Sequence, residues 1–97
     1  MPKFEWDEHK NAKNKAKHGM PFEDAKEIFN DQDRLIFEQE RNGEKRFLTV
    51  GKAFLAIISL AYTLRGAVVR IISARRANKK ERRAYLSKKL KSQDDEN

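Results

Sequence analysis

The chain has no cysteine, which excludes a disulfide framework, thiolate metal ligation and thiol catalysis. Its four glycines, Gly19, Gly43, Gly51 and Gly66, stand singly, and none belongs to a glycine-rich phosphate loop. The two histidines, His9 and His18, lie nine residues apart, so they lack the i, i+4 pairing of a helical metal site. No metal and no cofactor is expected. Long apolar runs are also missing: the longest, Ala53 to Ala61, is interrupted by Ser59 and falls well short of the ~20 residues that span a bilayer. The opening residues, Met1-Pro2-Lys3-Phe4-Glu5-Trp6-Asp7, place charges where a signal peptide needs an apolar stretch. A cytoplasmic protein without membrane attachment is expected. With 97 residues there is room for one core, read as a single domain over 1–91 followed by a polar tail, 92–97.

What the chain has in abundance is positive charge, unevenly placed. The net charge is +7, yet residues 67–91 alone carry ten Lys and Arg against the single Glu81. Such a segment points to a polyanion or an acidic protein surface as partner. For the lysines a solvated helix face is an equally good reading. The arginines suit bidentate phosphate contacts better.

Local patterns give an element order. Phe4-Glu5-Trp6 reads as a short extended lead-in, Asp7 as the N-cap of a helix reaching Lys17 or His18, and Gly19 as its left-handed stop. Trp6 suits an anchor for that helix better than a base-stacking platform. Pro21 can open a second helix whose apolar face is Phe22, Ala25, Ile28 and Phe29. The period then changes to two. Leu35–Gln39 and Arg46–Val50 read as strands around the hairpin signal Asn42-Gly43, followed by a turn at Gly51-Lys52. Phe54–Tyr62 reads as a central strand, Leu64-Arg65-Gly66 as a turn, and Ala67–Ser73 as a further strand. Asn78 with Glu81 three residues on forms a capping box for a last helix carrying Tyr85, Leu86 and Leu90. The expected fold is α+β: two N-terminal helices, a four-stranded antiparallel sheet and a C-terminal helix.

The informative cluster is Arg70-Ile71-Ile72-Ser73-Ala74-Arg75-Arg76. An arginine inside an apolar strand requires an acidic partner or an anionic ligand, and Glu44 on the hairpin is one possible partner for Arg70. Arg75 and Arg76 stand where the strand gives way to the helix N-terminus, itself favourable to anions. Arg46 and Arg65 could reach a common rim. Lys79, Lys80, Arg82 and Arg83, with Arg65 and Arg76, form the candidate RNA-binding set. Several guanidinium groups without metal ligands suit phosphate chemistry on RNA, whose 2′-hydroxyl supplies an internal nucleophile that DNA lacks. His18, at a helix C-terminus where the dipole favours the imidazolium, reads first as a cap and second as a proton-transfer group.

The strings Phe4-Glu5-Trp6-Asp7, Lys10-Asn11, Lys17-His18-Gly19 and Phe22-Glu23-Asp24-Ala25 resemble the N-terminal half of the BrnT toxins. Glu44-Lys45-Arg46, Val50-Gly51, Arg70 to Ala77 and Glu81-Arg82-Arg83-Ala84-Tyr85 are similar to their C-terminal half. The resemblance covers about residues 3–86 and is most specific at Arg70–Ala77. It implies a RelE-like ribonuclease toxin of a bacterial type II toxin–antitoxin pair. The implied partner is BrnA, an antitoxin with a ribbon-helix-helix DNA-binding domain, so that operator DNA is met only through the antitoxin. By the same resemblance the catalytic assignment falls on Arg46, Arg70, Ser73, Arg75 and Tyr85, and extends to His18 and Arg65. A lysine, His18 or Glu44 could act as base, and Tyr85 or an arginine as acid. Three readings stay open: a metal-independent endoribonuclease, a non-catalytic basic binding module, and an inactivated toxin kept as a co-repressor.

Overall fold

In the computed structural model, residues 2–95 are described, with side chains through Lys91. The elements are β1 (Lys3–Glu5), α1 (Glu8–His18), α2 (Phe22–Ala25) running into a 3₁₀ segment (Lys26–Asn30), β2 (Leu35–Arg41), β3 (Glu44–Ala53), β4 (Ala56–Arg65), β5 (Val68–Arg76) and α3 (Lys79–Asp95). The architecture is α+β, but the sheet is five-stranded and mixed, in the order β1-β5-β4-β3-β2. The lead-in is a true strand: Lys3, Phe4 and Glu5 pair in parallel with Val68, Val69 and Arg70. Three residues carry too little periodicity to announce a strand. The expected tail is helical backbone as far as Asp95; Glu96 and Asn97 lie outside the described residues.

The capping signals act as the sequence implies. The Asp7 carboxylate accepts from the His9 and Lys10 N–H groups at 2.8 and 3.1 Å, and Gly19 closes α1 with φ 68°. The carboxyl of Asp7 is held below its ordinary value by the Lys10 and His9 N–H bonds. The second helix is shorter than its pattern suggests because Phe22, Ala25 and Ile28 repeat every three residues, the period of a 3₁₀ helix. All three are fully buried. They join Ile58, Leu60, Tyr62, Val69, Ile71 and Ala74 in the core on one face of the sheet. Trp6 packs edge-on against Phe22, with ring centroids 6.0 Å apart, and anchors the start of α1.

Gly51 does not turn the chain. β3 continues through it to Ala53, and the hairpin tip falls at Phe54-Leu55. The glycine is there for a close approach: a Cβ would stand 2.9 Å from Arg34 Cβ, 3.0 Å from Asp31 Oδ2 and 3.1 Å from Ile28 Cγ1. Gly51→Ala is therefore expected to cost about 1–3 kcal/mol, the usual penalty of an overpacked interior, read as a lowered denaturation midpoint. An unchanged midpoint would show that the loop at Asp31–Arg34 yields freely.

Candidate active site

The strand register sets out the site. On β5, Ile71 pairs with Tyr62 and Ser73 with Ala61, so Ile72 is an extra residue, a β-bulge. Before the bulge Val68 and Arg70 share a face; after it Ser73 and Arg75 continue on that face, opposite the helix-covered core. Three rows cross the sheet on this side. Glu5 pairs with Arg70, Arg70 with Thr63, and the register that pairs Phe47 with Tyr62 brings Arg46 beside Thr63, with Gln39 beyond. The next row is Ser73, Ala61, Leu48 and Phe37; the third is Arg75, Ser59, Val50 and Leu35. Four of the expected residues, Arg46, Arg70, Ser73 and Arg75, thus lie on one face, and Arg65 extends it to the sheet end.

Helix α3 covers only part of this face. Val50 and Ser59 in the third row are buried, Leu48, Ala61 and Ser73 are half-buried, and Arg65 is exposed. Arg75 belongs to the covered part. Its Nη1 and Nη2 donate to the two Glu81 carboxylate oxygens at 2.7 and 3.0 Å. This contact raises the guanidinium above its ordinary value and, outweighing burial, holds Glu81 below its own. Glu81 also accepts from Asn78 N–H while Asn78 Oδ1 accepts from Glu81 N–H, both at 2.8 Å, which is the expected capping box. Arg75 therefore ties α3 to the sheet. Tyr85 is likewise committed: it is 1% exposed and donates to Asp31 Oδ2 at 2.5 Å. Burial first, and then this bond, push its hydroxyl well above the ordinary phenol value. The structure does not bring Tyr85 to the arginine row.

The uncovered rows hold Arg70 and Arg46. Arg70 Nη1 is 3.5 Å from Glu5 Oε1, so its acidic partner is Glu5 and not the expected Glu44, which stands opposite Arg41 instead. The Arg46 Nε is buried without a hydrogen-bond partner. At the β5 edge, beyond the end of β1, Asn14 replaces a neighbouring strand: its Nδ2 donates to Ala74 O at 2.8 Å and its Oδ1 accepts from Ala74 N–H at 3.1 Å. This clamp sets α1 beside the bulge. Lys10, Lys13, Lys17 and His18 consequently line a cleft of about 230 Å³ with Ile72 and Ser73. The end of α1 is closed by Gly19 N–H on Lys15 O, leaving His18 at the cleft. Lys10, Lys13, Asn14 and Lys17 follow the spacing of one helix face.

The expected RNA-binding residues divide. Lys80 lines a cleft of about 440 Å³ with Phe37, Leu48 and Ala84 next to the arginine rows. Arg76 and Arg82 line another cleft at the opposite end of the sheet. Lys79 and Arg83 are exposed on α3.

Residues 6–81 match the family described as the ribonuclease toxin, BrnT, of type II toxin–antitoxin systems. The chain belongs to the BrnT family. The match contains α1, the sheet from β2 to β5 and the capping box, and hence Arg46, Arg70 and Arg75; Glu5 and Tyr85 lie outside it. No curated protein matches the chain. Among the described residues no helix is long and apolar enough to cross a membrane, and none of the His, Asp and Glu side chains gather in a group of three able to hold a metal ion.

Proposed function

We propose that this BrnT chain cleaves RNA on the uncovered sheet face without a metal ion, and that it thereby inhibits translation. The observation that carries this reading is the row Glu5–Arg70–Thr63–Arg46, which presents two guanidinium groups on either side of a small buried threonine. In the proposed reaction the ribose 2′-oxygen attacks the adjacent phosphorus, the 5′-oxygen leaves, and a 2′,3′-cyclic phosphate and a 5′-hydroxyl result. Arg46 and Arg70 stabilise the charge that builds on the non-bridging oxygens. Ser73 and the lysine cleft of α1 hold the flanking phosphates, and the half-exposed Phe37 offers a stacking surface for a base. Of the possible bases, His18 shares the cleft with Ser73, whereas Glu44 lies at the rim. A ribbon-helix-helix antitoxin would neutralise the chain and, in complex with it, repress the operon.

Purified away from its antitoxin, the chain is expected to cut RNA in EDTA and to spare single-stranded DNA of the same sequence. Activity abolished by EDTA and restored by Mg²⁺, or equal cutting of DNA, would overturn the mechanism. Complete inactivity of folded protein would leave the basic face as a binding surface.

A further inference from the structure

The hairpin between β3 and β4 has a peculiar tip. Ala53 and Ala56 pair, so Phe54 and Leu55 form a two-residue turn, and Phe54 adopts φ 55°. The first hairpin meets its need for positive φ with Asn42 and Gly43, residues that adopt it readily. A phenylalanine there is strained, and the strain holds apolar side chains in water: Leu55 is 98% exposed and Phe54 64%. Leu55 faces a cleft of about 330 Å³ between the tip and α3, walled on the helix side by the half-exposed Leu86. Four cations, Lys52, Arg76, Arg82 and Lys89, line the same cleft, and among the described residues no carboxylate does. An apolar floor ringed by one sign of charge is an incomplete interface.

We propose that this cleft is the docking site for an acidic segment of the neutralising antitoxin that also carries apolar side chains, a reading that rests on the chain being a neutralised toxin. Charge complementarity requires the occupant to be anionic. The projecting aliphatic groups favour a protein segment over RNA, because Leu55 and Leu86 offer no flat surface for a base. The site is separate from the chemistry. Thr63 in the arginine row lies six residues along β4 from Ile57 at the cleft, or about 20 Å of strand. The antitoxin would grip the far end of the sheet and leave its remaining length to reach the active face.

The test is titration of the separately purified antitoxin into the chain carrying Leu55→Asp and Leu86→Asp together, with cleavage of a short RNA measured on the same preparation. Both side chains are exposed, so the fold is expected to survive, checked by circular dichroism. Antitoxin affinity should fall at least ~30-fold, the scale of losing an interface anchor, while cleavage stays within about twofold. Lys52→Gln with Lys89→Gln should weaken binding and flatten its salt dependence. Unchanged antitoxin affinity in the leucine variant would overturn the proposal. A parallel loss of RNA cleavage would overturn it too, making the cleft part of the RNA path. If the unmutated chain cuts no RNA, the ribonuclease reading falls, and the antitoxin titration still decides the docking site.

Discussion

Replacing Arg46 or Arg70 with alanine is expected to slow single-turnover RNA cleavage by roughly a hundred- to thousand-fold, the cost of removing one preorganised donor from a developing oxyanion. The fold should hold. Arg46 has a buried Nε without a partner, and Arg70 leaves behind only the partly exposed Glu5. Arg46→Lys should recover part of the rate, since an ammonium keeps the charge but loses the planar fork. Lys45→Ala is the control: Lys45 sits next to Arg46 on β3, points to the opposite face and pairs with Glu38 at 3.2 Å on an exposed surface. If the row acted only as a charged surface, Lys45→Ala and Arg46→Ala would slow cleavage alike. Arg75→Ala should behave differently from both. It removes the bidentate contact to Glu81 and should destabilise the chain by about 1–2 kcal/mol, allowing for its partial exposure.

The largest loss of stability is expected at Asp31. Its carboxylate accepts from Tyr85 Oη, from Lys52 N–H at 2.8 Å and, through the other oxygen, from Asp33 N–H at 2.9 Å. Burial alone would raise its pKa, but these three bonds outweigh it and hold the carboxyl below its ordinary 3.8. Asp31→Ala leaves the buried Tyr85 hydroxyl and two N–H groups unmatched, and should cost about 2–4 kcal/mol in denaturant unfolding. Tyr85→Phe removes one donor and leaves the other two bonds intact, so it should cost less. The pH dependence has a definite sign. A carboxyl whose folded pKa is depressed stabilises the fold fully above its unfolded value and loses that contribution as pH falls through the folded value. Asp31 and Glu81 are both depressed, so stability should fall as pH drops below about 4, and Asp31→Ala should weaken that dependence. An equally steep acid transition in the variant would contradict this role.

Much of this was legible in local chemistry. Caps and turns are short-range devices, so Asp7, Gly19, Asn42-Gly43 and the Asn78/Glu81 box could be read from adjacent residues. The apolar, β-branched runs of β4 and β5 likewise announced themselves. The bulge at Ile72 could not be read, because it exists only in the register between two strands; without it Arg70 and Arg75 have opposite parity, and with it they share a face. Partners distant in sequence were equally hidden. Glu5 meets Arg70 because a three-residue strand pairs in parallel with β5, and Asn14 meets Ala74 across 60 positions. The catalytic assignment of Arg75 and Tyr85 comes from the family resemblance, which says nothing of their partners in this chain. Their partners, Glu81 and Asp31, give them work in holding the helix. Conversely, no local pattern places Lys10, Lys13 and Lys17 beside Ser73; the Asn14 clamp on Ala74 does.

The 2′-hydroxyl mechanism on the arginine face is tested most directly by a substrate with one atom removed. Once a cleavage position has been mapped in an RNA oligonucleotide, the same oligonucleotide carrying a single 2′-deoxyribose on the 5′ side of that bond should remain intact there in EDTA, while the all-ribose strand yields a 2′,3′-cyclic phosphate detectable by mass. Cutting of the deoxy-substituted position at an undiminished rate, or products ending in a 5′-phosphate and a free 3′-hydroxyl, would mean that water attacks the phosphorus and that Arg46 and Arg70 serve a different reaction.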